Sequence, residues 1–264
     1  MRNKAFTLVE LLTAMAVTCL LVGVMLQVFS LGSSTWKRVD EKLDTFREAR
    51  AAIQIMSRDF ASISQVPGAP AGLSTLTLDW HPDTQMPDRV NQEAYLLTTS
   101  RNRGRSDLCA VGYFCTWDNE IGAFSLRRQF TDSDTSFAAL QSAALLKPAT
   151  ALAVFPLVHA RSKELDTLAA YIWDLQFLVP DPANPDQFAP WPAGFFAREL
   201  PPWVEIRFKA LGTQAARIVT SEGATRQHWF PGTGDHLDTS HKAFFDRKIL
   251  PQMQEFSTRV KLGK

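Results

Sequence analysis

The sequence predicts an α+β protein in which a long N-terminal helix, apolar in its first half and amphipathic in its second, packs on an antiparallel β-sheet domain. Three observations carry this reading. Residues 8–31 hold a single charge, Glu10; residues 36–63 repeat apolar side chains at steps of three and four; and the rest breaks into short runs rich in β-formers, separated by Pro, Gly, Asn and Asp. The 264 residues include 7 Trp and 18 Phe, enough for a sizeable core, and 28 Lys+Arg against 27 Asp+Glu exclude a strongly basic nucleic-acid binder. Three Cys without metal-type spacing exclude a disulfide framework and a zinc knuckle.

The first element runs from Phe6 to Leu31, long enough as a helix to cross a hydrocarbon core. Thirteen Leu, Val or Phe side chains in 8–31 favour insertion by about 4–8 kcal/mol, against roughly 3 kcal/mol for one acidic residue at mid-membrane. The stretch lacks the short apolar region and small-residue cut site of a secretory signal, so it reads as an anchor that stays. Glu10 is its most informative position, because a carboxylate entering lipid has to find a cation or lose its charge.

Beyond Gly32-Ser33-Ser34, where a gentle bend is expected, Trp36, Val39, Leu43, Phe46, Ala49, Ile53, Met56, Phe60 and Ile63 mark one helical face that predicts packing on a globular domain. Val66-Pro67-Gly68 ends the helix near Gln65. Strands are expected at Ser74–Trp80, Ala94–Thr99, Leu108–Trp117, Phe124–Phe130, Ala169–Val179, Trp203–Leu211 and Phe256–Leu262, with Phe256, Thr258, Val260 and Leu262 on one face. Short helices are expected at Phe137–Leu146, Thr213–Val219 and His241–Met253, and the seven prolines between Pro180 and Pro202 mark an extended loop. Cys109 and Cys115 share a strand face roughly 20 Å apart, which favours buried thiols over a disulfide, and Cys19 reads as a small apolar residue facing lipid. Trp191, Trp203 and Trp229 read as core or interface residues.

The N-terminal order is a basic leader with Arg2 and Lys4, then Ala5, then Phe6-Thr7-Leu8-Val9-Glu10 opening the apolar helix. This order resembles the class III signal of type IV pilins and pseudopilins. The resemblance implies cleavage between Ala5 and Phe6 by a prepilin peptidase, methylation of the new amino terminus on Phe6, and pairing of Glu10 with the Phe6 ammonium of a neighbouring subunit. Ala5 stands where the family usually has Gly. Losing Arg2 and Lys4 takes the formal charge from +1 to −1. The resemblance also implies a leader at 1–5, a transmembrane half-helix at 6–31, an amphipathic half at 32–65 and a periplasmic β-rich domain at 66–264. Lys37, Arg38, Lys42, Arg47 and Arg50 follow the span, so a simple count of cations favours the opposite orientation. The resemblance places the leader in the cytoplasm, with a single pass through the inner membrane.

Further along, FREARAAIQIMSRDF, LCAVGYFCTW followed by LRRQF, YIWDLQFLV, a Pro- and Trp-bearing loop and LPPWVEIRF are similar in order to the J-type minor pseudopilin of type II secretion. Thr131–Leu165 and Thr220–Lys248 are longer and more polar than that family usually has. The family implies a non-enzymatic subunit at the tip of a short fibre, with other minor pseudopilins, the major pseudopilin, the prepilin peptidase and the inner membrane as partners, and no cofactor. No Gly-x-Ser-x-Gly, His-Glu-x-x-His or phosphate-binding glycine loop is present, and no catalytic residue is assigned.

Weaker candidates remain. His228, Asp235, His236, Asp238 and His241 collect metal-ligand types, but their spacing matches no standard motif and suits a solvated loop. Asp132-Ser133-Asp134 and Asp181–Asp186 carry oxygen ligands without the Gly and Glu of an EF-hand, and read as turns. Arg101–Arg105 forms a basic tip, yet near-zero net charge argues against a nucleic-acid partner. The alternatives are a minor pilin of a type IV pilus, acting in adhesion or DNA uptake, and a signal-anchored periplasmic enzyme using the His228–His241 cluster.

Overall fold

Helix α1 runs without interruption over Leu8–Ala61 in the computed structural model, which describes residues 8–63, 76–80, 91–99, 108–118, 120–136, 138, 164–181, 184, 187–190, 200–212, 216, 218–219 and 243–262. Gly23 and Gly32 each cost a helix about 1 kcal/mol, but the good helix formers around them carry it through, and helix continues across Gly32-Ser33-Ser34. The chain divides into two units between Leu43 and Asp44.

In the second unit α1 buries Thr45, Ala49, Ala52, Met56, Asp59 and Phe60, with Phe46 and Ile53 half-buried. Trp36, Val39 and Leu43 share the apolar spacing but are exposed at 76%, 45% and 45%, so the packed face does not extend over the whole stretch that periodicity marks. A period locates a stripe without saying what covers it. The helix also ends at Ala61, short of Gln65. Ile63 bridges to Thr98 and the Thr99 amide donates to the Ser62 carbonyl at 3.1 Å, so strand contacts take the chain out of its helix.

Two antiparallel sheets make up the rest. The first is a meander of β1 (Leu76–Trp80), β2 (Gln92–Thr99), β3 (Leu108–Asp118), β4 (Ala123–Thr131) and β5 (Glu164–Ala169). The second contains β6 (Ile172–Pro180), β7 (Phe188–Pro190), β8 (Trp203–Leu211) and β9 (Met253–Lys261), in the order β7-β6-β8-β9. The long helix followed by antiparallel sheets is the α+β architecture expected.

Several expected elements are corrected. The strand expected over Ala169–Val179 is β6, which starts at Ile172, three residues later; Ala169 instead ends β5, a strand not expected, in the other sheet, and the two are joined by a turn in which Tyr171 takes φ 59°. No Gly or Pro announces that turn, so an apolar run conceals it. The Pro-rich loop holds the short strand β7, where Pro190 is tolerated because the strand is an edge. The helical stretch expected over His241–Met253 is helical throughout its described part, α-helical at 243–244, π-helical at Phe245–Ile249 and 3₁₀ at Leu250–Gln252, with Pro251 in that 3₁₀ turn and β9 starting at Met253. Ala216, Ile218 and Val219 are helical within Thr213–Val219, while Phe137–Leu146 lies outside the described residues except for Ala138.

The core joins helix and both sheets through Phe60, whose ring stacks 6.2 Å from Tyr113 of β3 and 5.4 Å from Phe177 of β6. A row of rings continues it, with Trp117 5.1 Å from Phe124, Phe124 5.3 Å from Trp173, and Trp173 4.8 Å from Phe245. The β6–β8 ladder slips between Trp173 and Gln176, next to Asp174 at φ 57°. There the side-chain carbonyls of Asn91 and Gln92 accept the Leu175 and Phe177 amides at 3.0 and 2.5 Å. Side chains at the start of β2 and just before it thus satisfy amides of β6 and stitch one sheet to the other.

Candidate functional site

Leu8–Ser33 is a 26-residue stretch of α1 with mean hydropathy 2.2 and none of it buried. At 1.5 Å per residue it is about 39 Å long, beyond the roughly 30 Å hydrocarbon core of a bilayer. Phe29 at 77% and Leu8 at 76% are exposed to an extent that water disfavours. Both of its threonine hydroxyls turn to the helix backbone: Thr13 Oγ1 donates to the Glu10 carbonyl at 3.0 Å and Thr18 Oγ1 to the Ala14 carbonyl at 2.8 Å. Polar groups satisfied within the helix are what a lipid environment requires.

Glu10 stands in the first turn, where the helix dipole favours a negative charge. With Leu11, Ala14, Met15, Thr18 and Cys19 it lines a shallow open groove. The small side chains of Ala14 and Thr18 let another helix approach closely at that level. Ala5 and Phe6 lie outside the described residues.

In the second unit, one ionic cluster holds α1 to the first sheet. Asp59 Oδ2 accepts from Tyr113 Oη at 2.5 Å, from Arg128 Nε at 2.9 Å and from Arg128 Nη2 at 2.8 Å. Burial, reinforced by the Asp59 carboxylate, pushes Tyr113 well above the usual phenol range, so it stays a donor. Burial disfavours the Arg128 cation, but Tyr113 and Asp59 outweigh it and hold the guanidinium charged. The sequence does carry a signal for this cluster, since Asp59 interrupts the apolar stripe between Met56 and Ile63.

On the second sheet, Glu205 is 4% exposed and accepts from Arg207 at 2.6 Å and Arg259 at 2.8 Å. Burial raises its carboxyl, but those hydrogen bonds prevail and hold it below the usual carboxylate range. Lys209 Nζ meets Asp174 at 2.7 Å, and Arg259 lies 4.5 Å from the centre of the Phe188 ring. Trp203 is 42% exposed with Lys261 Nζ 5.9 Å from its ring, which places it outside the core.

Cys109 and Cys115 are buried thiols with no disulfide between them, as expected, and Cys19 is exposed. Asp132 is a turn residue: its carboxylate accepts the Thr135 amide and hydroxyl, both at 2.9 Å, at the start of a helical turn at 133–136. The Thr135 amide holds its carboxyl below the usual range. Asp181 also forms a turn, its amide donating to the Gln187 carbonyl at 2.8 Å. Among the described residues no three His, Cys, Asp or Glu gather as a metal group. His228, Asp235, His236, Asp238 and His241 lie outside those residues, as do Arg101–Arg105, Trp191 and Trp229.

No curated protein and no solved structure matches the chain. Residues 1–26 match the prokaryotic N-terminal methylation motif, the signal of type IV pilin-like proteins.

Proposed function

We propose that the chain is a minor pseudopilin of type II secretion, a non-enzymatic subunit that assembles near the tip of a short periplasmic fibre supporting protein export. The observation that carries the reading is the methylation motif at residues 1–26 leading directly into an apolar helix with no buried residue between Leu8 and Ser33. A prepilin peptidase cuts between Ala5 and Phe6 and methylates Phe6. The mature chain then waits in the inner membrane, leader side cytoplasmic and sheets periplasmic, until it joins other minor subunits and the major pseudopilin.

Glu10 is assigned to register. Its carboxylate, set beside Ala14 and Thr18, pairs with the ammonium on Phe6 of a neighbour inside the bundle, where either charge alone is costly. The order of strand motifs from LCAVGYFCTW to LPPWVEIRF resembles a J-type minor pseudopilin, and the identity of captured partners separates secretion from a pilus. The test is capture of partner subunits from membranes by the full-length chain and by Glu10→Ala. Capture should fall about tenfold or more while the melting of the sheet domain stays unchanged. Equal capture by the variant overturns the assigned role, and capture of pilus subunits alone moves the chain to a type IV pilus.

A further inference from the structure

We infer that Trp36 is the membrane-interface anchor of α1 and fixes how deep the span sits, an inference that rests on the reading of Leu8–Ser33 as a membrane span. Trp36 stands about one turn beyond Ser33, and its side chain is 76% exposed. An indole buries its rings and keeps its N–H hydrated at the level of lipid headgroups, which is why such residues collect at the ends of spans. Lys37 and Arg38 follow directly in the sequence, an aromatic-then-basic order suited to the polar headgroup layer at the end of a span. The occupant of this surface is therefore lipid.

Axial distance gives the inference its consequence. Glu10 and Trp36 belong to the same unit and to one unbroken helix. At 1.5 Å per residue they are about 39 Å apart along the axis. A bilayer with its polar interfaces is about 40–45 Å thick. With Trp36 seated at one interface, Glu10 falls at the polar edge of the opposite leaflet and not at the hydrocarbon centre. The pairing with a neighbour takes full effect as the chain moves outward into a bundle and carries Glu10 into the hydrocarbon.

The experiment uses the full-length protein in vesicles of phosphatidylcholine and phosphatidylglycerol that carry bromine either near the headgroup or near the chain ends. Bromine quenches indole fluorescence on contact, and the other six of the 7 Trp lie in the second unit. Shallow bromine should remove a distinct part of the emission, deep bromine less of it, and the lipid-dependent part should vanish in Trp36→Phe. Absence of lipid quenching, equal quenching in Trp36→Phe, or stronger quenching by deep bromine each overturns the anchor. Flotation separates the two levels. Protein that floats with the vesicles but shows no shallow quenching overturns the anchor alone, and protein that does not float overturns the membrane reading with it.

Discussion

Replacing Asp59 with Ala should strongly destabilise the sheet domain. The substitution leaves the Tyr113 hydroxyl and the Arg128 guanidinium without the carboxylate that both address, in a site where Asp59 is 6% exposed and Tyr113 is fully buried. Breaking a buried ion pair from one side costs about 3–5 kcal/mol. Arg128 keeps some access to solvent, its side chain being 16% exposed, and keeps a contact with the Phe130 ring at 5.3 Å, so the lower end applies. For a unit of this size each kcal/mol moves Tm by roughly 2–4 °C, which predicts a loss of about 6–12 °C in a near-ultraviolet circular dichroism melt. Tyr113→Phe removes one hydroxyl and leaves the ion pair, and should cost about 1 kcal/mol. The triple change Asp59→Leu, Arg128→Met, Tyr113→Phe removes both charges and the hydroxyl they satisfy, and should recover most of the loss. If Asp59→Ala melts within about 2 °C of the parent, or the triple variant is worse than Asp59→Ala, the cluster does not hold helix to sheet.

Acid should weaken the domain partly through Glu205. Its folded carboxyl titrates below the ordinary range, so its contribution is full above that range, about pH 4–5, and is lost as pH falls through the folded value. Melting temperature between about pH 5 and pH 3 should therefore fall more steeply in the parent than in Glu205→Gln, and parallel curves would remove Glu205 from the account. The cysteines give a separate check. Non-reducing unfolding followed by alkylation should label all three thiols, whereas the folded protein should leave Cys109 and Cys115 unlabelled; a mass lacking two labels after unfolding would mean that they pair.

Much of the architecture is legible in the sequence because its signals are local. Apolar content and the step of three and four reveal α1, and alternation reveals β3, β4, β8 and β9 to within a few residues. What stays hidden depends on contacts distant in sequence. The β5–β6 turn has no Gly or Pro because Tyr171 takes a positive φ within an apolar run, and the Asn91 and Gln92 stitches join residues more than eighty positions apart. Exposure of Trp36, Val39 and Leu43 is invisible to periodicity, since a stripe facing lipid or another subunit has the same spacing as one facing a core. At the site, Glu10 stands out as a lone charge among apolar neighbours. Glu205 does not, because a Glu two residues before an Arg on a strand is ordinary until burial singles it out.

The central claim is that residues 1–26 are a working processing signal. Intact mass and N-terminal peptide mass spectrometry on protein made alongside a prepilin peptidase and recovered from membranes test it most directly. The account predicts a chain that begins at Phe6 and carries one added methyl group. A chain that keeps Met1–Ala5 under those conditions contradicts it, and leaves α1 as a plain signal anchor.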